Sequence, residues 1–271
     1  MAGPRRGSSA PAAAYTFSAR LYDSIYAWKD YRSESQRLRA LVRRFGPPGA
    51  RTLLDVGCGT GSHLAHLARH FRTQGVDRDE RMLRVARAKL PDLRFTQAPM
   101  DRFDLGRRFD VITCLFSAIG YVRSPRELER TLRNFARHLR PGGVAIVEPF
   151  VRPNRYRAGT VHAQLLGSTD QPIARMNLSE RRGDRAIMDM HHLIGTPQGV
   201  RYWVEHHDLA LYSVPEYLRS FRRAGLRGRY LAHGFTRDRG LLVGVLAPGP
   251  GGESVRVATR GSRSGRRPRG S

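Results

Sequence analysis

The chain has 271 residues, which is enough for one large domain that buries a full hydrophobic core without disulfides. Its two cysteines, Cys58 and Cys114, have neither disulfide-framework nor metal-site spacing, and no apolar run is long enough for a membrane span or a signal peptide, so we expect a cytoplasmic protein. The formal net charge of +25 comes almost wholly from arginine, with Lys29 and Lys89 the only lysines, a bias typical of GC-rich codon usage, so the charge alone does not indicate a nucleic-acid partner.

The first segments in chain order are a tail and a helical cap. Residues 1–14 are basic and rich in small residues, and they predict disorder. Residues 15–46 predict helices with a break near Lys29 and Asp30. These helices precede the first strand and could cover one end of the domain.

Strands and helices then alternate as far as residue 148, which indicates right-handed βαβ units and a parallel sheet covered by helices on both faces. The predicted strands are Thr52–Val56, Thr73–Val76, Leu93–Gln97, Val111–Phe116 and Val144–Glu148. The predicted helices between them are Leu64–His70, Glu80–Lys89 and Pro125–Leu139, the last followed by a turn at residues 140–143.

The pattern of polar and apolar residues changes after Pro149. Residues 160–212 alternate polar and apolar, with turn signals at residues 182–184 and 196–199, and they predict an antiparallel sheet inserted into the α/β core. A helix at residues 215–224 and two closing strands, RGRYLAHGF and GLLVGVLA, follow. Residues 249–271 predict a second disordered tail, which leaves residues 15–248 as the domain.

The stretch RTLLDVGCGTGSH, residues 51–63, places Gly57, Gly59 and Gly61 at a turn between the first strand and a helix. A dinucleotide-binding turn has the spacing G-x-G-x-x-G, but Ser62 stands where its third glycine belongs. The G-x-G-x-G spacing bends the loop under a neutral or zwitterionic ligand more readily than it surrounds phosphates. Ligands of open parallel sheets bind beyond the carboxyl ends of the strands, where this turn lies, so the inserted sheet could form a roof over the site.

Two positions after later strands carry further signals. Asp77, at the end of the second strand, could accept hydrogen bonds from both hydroxyls of a ribose, or it could cap the helix that starts near Glu80. Met100 follows the third strand, in the region where an adenine is usually recognised. The pattern therefore predicts a nucleoside near the glycine turn.

In this order, the segments LLDVGCGTG, GVD, PM with DRFDLG, LFSAIGYV, LRPGGVAIVEP and RGLLVGV resemble the class I S-adenosylmethionine-dependent methyltransferases. More narrowly, the chain resembles the amino-sugar N-methyltransferases of antibiotic pathways, which dimethylate the amine of a thymidine-diphosphate-linked deoxysugar. The resemblance extends from about Tyr22 to Val245. It implies a Rossmann-like, seven-stranded class I methyltransferase core with an inserted antiparallel β-sheet, and S-adenosyl-L-methionine as the cofactor.

The resemblance also implies roles for individual side chains. At the methionyl part of the cofactor, it implies contacts from Gly57, Gly59 and Gly61, support of the loop by Asp55, and a contact from Tyr31 to the carboxylate. At the nucleoside, it implies that Asp77 holds the ribose and that Met100 borders the adenine. The donor methyl group would be lined by Phe116 and Ser117. For the acceptor, it implies that Tyr22 and the segment from Ser117 to Tyr121 face the substrate, while Arg239 matches an arginine suited to gripping a pyrophosphate.

The chain departs from this family's pattern in two places. Pro99 stands where the family commonly has an aspartate that accepts from the adenine amino group. Phe150 and Val151 stand where the family has tryptophans near the sugar nucleotide, and Phe150 is therefore the substrate-facing candidate there. His207 and Glu148 are candidates for accepting a proton from the acceptor amine or for orienting it.

No metal site is expected. The adjacent histidine pairs, His191 with His192 and His206 with His207, fall on predicted strands, where neighbouring side chains point to opposite faces.

We therefore expect an S-adenosylmethionine-dependent N-methyltransferase that acts on a small-molecule amine, most simply a nucleotide-linked amino sugar of natural-product biosynthesis. Three alternatives stay open: an N- or O-methyltransferase of another natural product, an RNA methyltransferase, and a non-catalytic ligand-binding protein. The RNA alternative is disfavoured because the loop after the fourth strand, CLFSAIGY, lacks the Asn/Asp-Pro-Pro-aromatic motif. A homodimer is left open.

Overall fold

The computed structural model describes residues 19, 21–236 and 239–248. The predicted tails, residues 1–14 and 249–271, lie outside the described residues. Among the described helices, none combines the length and the apolar character that a membrane crossing requires.

Six α-helices and one short 3₁₀ helix occur in the described residues. They are α1 (Tyr22–Ile25), α2 (Tyr31–Phe45), α3 (Leu64–Leu67), α4 (Glu80–Lys89), the 3₁₀ helix (Ala118–Tyr121), α5 (Pro125–His138) and α6 (Val214–Arg223). Side chains cap the N-termini of the four longer helices. The N-cap residues are Asp30 for α2, Asp79 for α4 and Ser124 for α5, while Ser213 with Glu216 forms a capping box at α6. Each cap satisfies backbone N–H groups that the first turn leaves without a partner.

The central sheet has seven strands in the order β10-β11-β5-β4-β1-β2-β3. The strands are β1 (Thr52–Val56), β2 (Arg72–Asp77), β3 (Arg94–Gln97), β4 (Phe109–Cys114), β5 (Leu139–Val147), β10 (Leu226–Leu231) and β11 (Leu241–Leu246). The first five are mutually parallel, and β11 is antiparallel to both of its neighbours. Strand order reverses between β1 and β4, so the carboxyl ends of these two strands flank the place where such a sheet binds ligands.

A second sheet contains the four antiparallel strands β6-β7-β8-β9. They are β6 (Val161–Ser168), β7 (Gln171–Arg182), β8 (Arg185–Thr196) and β9 (Gly199–Ala210). Two buried apolar clusters pack on the central sheet, one centred on Phe103, Phe135 and Phe221 and the other on Leu38, Leu64 and Leu83. The predicted α/β core with an inserted antiparallel sheet is confirmed.

Several predicted boundaries are wrong. Helix α3 ends at Leu67 instead of His70. Strand β4 ends at Cys114 instead of Phe116, because Phe116 leaves the extended conformation with a positive φ. The predicted turn at residues 140–143 lies within β5, which begins at Leu139 and pairs with Phe109 before its register shifts.

Candidate functional site

The three glycines between β1 and α3 form a turn in the left-handed region, with φ values of 72°, 55° and 76° at Gly57, Gly59 and Gly61. Gly57 N and Cys58 N both donate to the carbonyl of Val76, at 2.8 and 3.1 Å. The turn is thereby tied to the end of β2. A side chain at Gly57 would meet the Cβ atom of Ala118 at 2.6 Å, so the glycine lets the 3₁₀ helix approach the turn.

Replacing Gly57 with alanine should therefore destabilise the fold through both backbone strain and the clash with Ala118. Gly106→Ala is the matched control, because Gly106 also has a positive φ, of 60°, but an added Cβ meets nothing within 4 Å. Chemical denaturation should show a loss of about 1 kcal/mol for the control and about 1–2 kcal/mol more for Gly57→Ala. Equal losses would mean that the close approach of the 3₁₀ helix does not constrain residue 57.

Asp55 lies directly beneath the glycine turn and is 2% exposed. Thr113 Oγ1 donates to Asp55 Oδ1 at 2.7 Å. Burial raises the pKa of the Asp55 carboxyl to about 6, although nearby His63 and the Thr113 hydrogen bond oppose the rise. The position fits the predicted support of the loop, since the side chain reaches β4 beneath the turn.

The raised pKa of Asp55 predicts a pH-dependent difference between the wild type and Asp55→Asn. A carboxyl with a raised folded-state pKa contributes stability below its ordinary pKa of 3.8, and that stability is lost as the pH rises through about 6. Between pH 4 and pH 7 the asparagine variant should gain on the order of 2 kcal/mol over the wild type in denaturant unfolding. Asp92→Asn, on an exposed loop, should show no such trend. A difference in unfolding free energy between the wild type and Asp55→Asn that does not change with pH would contradict a raised pKa of the Asp55 carboxyl.

Asp77 stands at the end of β2 and faces the glycine turn. Its Oδ2 accepts a hydrogen bond from Gly59 N at 2.8 Å, and its Oδ1 accepts one from Asp79 N at 2.9 Å. The cap of α4 is Asp79, which accepts from Arg81 N, so the alternative reading of Asp77 as the helix cap is wrong. Burial raises the pKa of the Asp77 carboxyl, and the two backbone donors oppose that rise.

A pocket opens between the glycine turn, the start of α4 and the loop after β3, and we call it the glycine-turn pocket. Its wall contains Tyr22, Gly57, Gly59, Asp77, Arg78, Asp79, Met82, Pro99, Met100, Asp101, Phe116, Tyr121 and Glu127, together with small apolar residues. The Asp77 carboxylate provides acceptors for a ribose, and Met82 and Met100 provide apolar faces for a flat base. Met100 lies in this wall, and its place beside an adenine stays a prediction.

The N-terminal cap closes over this pocket. Asp23 on α1 accepts hydrogen bonds from Thr60 Oγ1 at 2.6 Å and from Ser62 Oγ at 3.0 Å, and it also forms an ion pair with Lys89 of α4. Behind it, Glu34 pairs with Lys29 and with His63. Burial alone would raise the pKa of Glu34, but the hydrogen bonds from His63 and Lys29 lower it below its ordinary value.

The backbone after β4 is strained at two consecutive residues, since Phe116 and Ser117 have φ values of 48° and 63°. Phe116 N donates to Glu148 Oε2 at 2.7 Å, and Ser117 Oγ donates to the carbonyl of Pro149 at 3.2 Å. Arg239 donates in turn to Ser117 Oγ at 2.9 Å. These contacts hold the ring of Phe116 at the junction between the glycine-turn pocket and a second cavity.

The second cavity, of about 720 Å³, lies beneath the inserted sheet, and we call it the sheet cavity. It shares Phe116 and Tyr121 with the glycine-turn pocket. Four arginines lie in its wall, and among the described residues that line it there is no aspartate or glutamate. The arginines are Arg155, Arg157, Arg175 and Arg239. This distribution favours an anionic ligand.

Two of these arginines are held in place by aromatic rings. The guanidinium of Arg239 lies 5.9 Å from the ring centroid of Phe116 and 5.4 Å from that of Phe150. The guanidinium of Arg175 lies 5.5 Å from the ring of Tyr26 and donates to its hydroxyl at 3.4 Å. Stacking orients a guanidinium while leaving N–H groups free to bind an anion.

Tyr121 and His207 meet on the wall of the sheet cavity, where the Tyr121 hydroxyl lies 2.7 Å from His207 Nδ1. His207 is 3% exposed and comes from β9, two residues after the buried Glu205. The alternation of β9 therefore places both side chains on the inner face of the inserted sheet.

The structure separates the predicted site residues into four groups. The wall of the glycine-turn pocket contains Tyr22, Gly57, Gly59, Asp77 and Met100; the sheet cavity contains Ser117, Phe150, His207 and Arg239; both contain Phe116 and Tyr121. Four predicted residues line neither: a Cβ added at Gly61 would lie 3.1 Å from Leu90 Cδ1, Asp55 and Glu148 are buried beneath the loops, and the ring of Tyr31 meets that of His63 edge to face. Tyr22 was expected to face the acceptor, but it lines the glycine-turn pocket instead.

Sequence reasoning missed most of the arginines of the sheet cavity and the ring of Tyr26. Arg175, Asn177 and Ser179 alternate along β7 and share its inner face, a period-2 signal that could have placed Arg175 in the site. Arg155 and Arg157 lie in a loop, where no periodicity marks them among the many arginines of the chain. No group of histidine, cysteine, aspartate and glutamate residues in the described part of the chain has the geometry of a metal site.

Known proteins share both the sequence and this architecture. Residues 53–143 match the family model of a methyltransferase domain. The chain is 40% identical over 233 residues to the dTDP-3-amino-3,4,6-trideoxy-alpha-D-glucopyranose N,N-dimethyltransferase of Streptomyces venezuelae, covering 84% of this chain and 98% of that protein. It is 39% identical over 240 residues to the dTDP-3-amino-3,6-dideoxy-alpha-D-glucopyranose N,N-dimethyltransferase of Streptomyces fradiae, covering 87% and 92%.

A solved structure agrees with these relatives. The S-adenosylmethionine-bound structure of CalS10, an amino pentose methyltransferase from Micromonospora echinaspora, superposes with a TM-score of 0.76 at 33% identity. The superposition covers 83% of this chain and 96% of that one. The similarity therefore includes the inserted sheet as well as the parallel core.

Proposed function

The chain belongs to the S-adenosylmethionine-dependent methyltransferase family that contains the dTDP-amino-sugar N,N-dimethyltransferases, and we propose that it methylates the amine of a nucleoside-diphosphate-linked amino sugar. The observation that carries the proposal is the sheet cavity, which is lined by four arginines and meets the glycine-turn pocket at Phe116 and Tyr121. An anionic acceptor and the methyl donor would thus meet at one junction.

The glycine-turn pocket fits S-adenosylmethionine. Gly57 and Gly59 leave backbone exposed where a side chain would intrude, Asp77 supplies a carboxylate for a ribose, and Met82 and Met100 supply apolar surface for an adenine. When bound there, S-adenosylmethionine supplies a methyl group activated by a positively charged sulfur. Pro99 lines the pocket but cannot accept a hydrogen bond through its side chain, whereas Asp101, also in the wall, can.

The sheet cavity suits a sugar nucleotide. Arg239 and Arg175 would bind the diphosphate with charge-assisted hydrogen bonds, and Arg155 and Arg157 add to the positive potential. Asn177, 6% exposed, also lines the cavity, and its Nδ2 makes no hydrogen bond among the described residues, so it is ready to donate to a polar acceptor. These groups orient the amine toward the junction.

Residues around the junction position the reacting groups. Glu148 holds the strained Phe116 turn by accepting from its N–H, and the rings of Tyr22 and Tyr26 exclude water from the junction. A sugar amine with a pKa of about 8 is partly neutral at pH 7, so alignment supplies much of the catalysis. His207 and Tyr121 lie where they can orient the amine or take its proton.

The proposal is tested by offering wild-type protein a panel of acceptors and reading methyl transfer by mass spectrometry. The panel contains a dTDP-linked 3-amino-3,6-dideoxy sugar, simple amines, phenols and bulk RNA. We expect one or two methyl groups on the nitrogen of the nucleotide-linked sugar. Methylation of RNA alone would favour an RNA methyltransferase, and methylation of phenols or simple amines at an equal rate would favour a broader small-molecule enzyme.

Two further expectations belong with this proposal. Pairing with a second copy is supported by exposed apolar side chains on the inserted sheet, such as Leu165 at 86% and Val200 at 71% exposure, and sedimentation velocity tests it. A cytoplasmic location is supported by the two buried free thiols, Cys58 and Cys114.

A further inference from the structure

We infer that Tyr121, His207 and Glu205 form a proton relay that removes the proton from the acceptor nitrogen, with Glu205 as a positioning residue. The inference rests on the proposed function, because it needs an amine at the junction of the two cavities. Glu205 was not anticipated from the sequence, and it lines neither cavity among the described residues.

Tyr121 is placed to contact the amine. Its side chain lines both the glycine-turn pocket and the sheet cavity, so its hydroxyl stands close to where the donor and acceptor sites meet. The hydroxyl lies 2.7 Å from His207 Nδ1. A phenolic hydroxyl can donate and accept at the same time, so a hydroxyl that donates to that nitrogen can also accept a hydrogen bond from the amine.

Glu205 orients the ring of His207 and favours one of its two tautomers. Its Oε2 lies 3.7 Å from His207 Nε2, and the side chains are 7% and 4% exposed. Glu205 Oε1 accepts no hydrogen bond among the described residues, so local donors compensate only part of the carboxylate charge. A buried carboxylate at this distance favours the imidazole tautomer with its proton on Nε2, and it stabilises the imidazolium that forms when Nδ1 gains a proton.

The inner face of the inserted sheet carries other titratable and charged groups. His192 on β8 interacts electrostatically with Glu205 and His207 on β9 and with Arg175 on β7. Burial is the main cause that lowers the pKa of His192. Glu205 opposes this fall, whereas Arg175 and His207 add to it. Tyr26, the residue that follows α1, faces Arg175 and Glu205, and burial raises its pKa. The lowered pKa of His192 favours its neutral form.

The relay acts on the ammonium form of the acceptor, whose nitrogen has no lone pair with which to attack a methyl group. One N–H bond breaks and its proton passes to the Tyr121 oxygen, while the Tyr121 O–H bond breaks and that proton passes to His207 Nδ1. The products are a neutral amine, an unchanged tyrosine and an imidazolium beside Glu205. After the product leaves, the proton returns through Tyr121 to water in the emptied cavity.

The same sheet offers a matched control. On its outer face, His206 Nδ1 lies 2.6 Å from Asp189 Oδ1, and both side chains are more than half exposed. This pair has the same chemistry but faces away from the sheet cavity. Asp189→Asn should therefore leave turnover unchanged at every pH.

The kinetic test measures kcat for a dTDP-linked amino sugar at pH 7 and pH 9. Glu205→Gln, His207→Gln and Tyr121→Phe should each lower kcat about 10- to 100-fold at pH 7. At pH 9, where an amine with a pKa of about 8 loses its proton unaided, the loss should shrink to about threefold or less. Equal losses at both pH values would show a purely structural role and overturn the relay, as would unchanged kcat at pH 7.

A second measurement needs no substrate and separates this inference from the proposed function. In protein carrying ¹⁵N-histidine, with His207→Gln used for assignment, neutral His207 should bear its proton on Nε2. Glu205→Gln should move part of the neutral population to the tautomer with its proton on Nδ1, and Asp189→Asn should not. A proton on Nδ1, or no effect of Glu205→Gln, would overturn the relay. Absence of wild-type turnover on any nucleotide-linked amine would instead refute the proposed function.

Discussion

Replacing Asp77 with alanine should weaken the binding of S-adenosylhomocysteine about 5- to 150-fold, which corresponds to the roughly 1–3 kcal/mol expected when buried polar groups lose their partner. The carboxylate does two things in the structure. It borders the pocket where a ribose would lie, and it braces the turn by accepting from Gly59 N at 2.8 Å. Loss of the side chain should therefore remove ligand contacts and loosen the glycine turn together, and titration calorimetry measures the result.

Asp92→Ala is the control for this experiment, because Asp92 is exposed and outside the pocket. It should bind the ligand as tightly as the wild type. Thermal unfolding of both variants without ligand separates a loss of contacts from a loss of fold. If Asp77→Ala binds with unchanged affinity, Asp77 does not contact the cofactor and the assignment of the pocket is wrong.

Arg239→Ala should raise the apparent KM for a nucleotide-linked amino sugar about 10- to 100-fold while kcat changes little. The guanidinium lines the sheet cavity, held between the rings of Phe116 and Phe150 and by its hydrogen bond to Ser117. A hydrogen bond to a charged group contributes about 1.5–3 kcal/mol. The contact to a diphosphate distant from the amine is made equally in the ground state and the transition state, so its loss appears in KM.

Two variants sharpen this result. Arg239→Lys keeps the charge but loses the planar fork, so it should fall between the wild type and the alanine variant. Arg227→Ala, on an exposed position of β10, should behave as the wild type and so exclude a general effect of net charge. Weakened S-adenosylhomocysteine binding in Arg239→Ala, with KM for the sugar nucleotide unchanged, would show that this arginine belongs to the cofactor site.

The sequence was sufficient for the parts of the molecule that local chemistry dictates. Alternating strands and helices predicted the order of the parallel core, and the glycine spacing predicted the turn, because few residues other than glycine adopt its three positive φ values. Asp77 was predicted because it ends a strand next to that turn. Phe116 and Tyr121 followed from the resemblance of the segment LFSAIGYV, and the structure places both between the two cavities.

The parts that could not be predicted depend on how distant segments meet. The strain at Phe116 and Ser117 depends on Glu148, which lies some thirty residues further along the chain, and no local pattern reports it. The proximity of Tyr121 to His207 depends on the packing of the inserted sheet against the 3₁₀ helix. Among so many arginines, the four that line the sheet cavity could be separated from solvated ones only by the folded structure.

The measurement that tests the central claim most directly is the ratio of kcat/KM for a dTDP-linked amino sugar to kcat/KM for the same amino sugar without its nucleotide, using wild-type protein. Four arginines without a lining carboxylate predict a strong preference for the diphosphate. Two charge-assisted contacts at about 1.5 kcal/mol or more each correspond to a ratio of at least about 100. A ratio near one would contradict the account, because the sheet cavity would then not be a site for a nucleotide-linked acceptor.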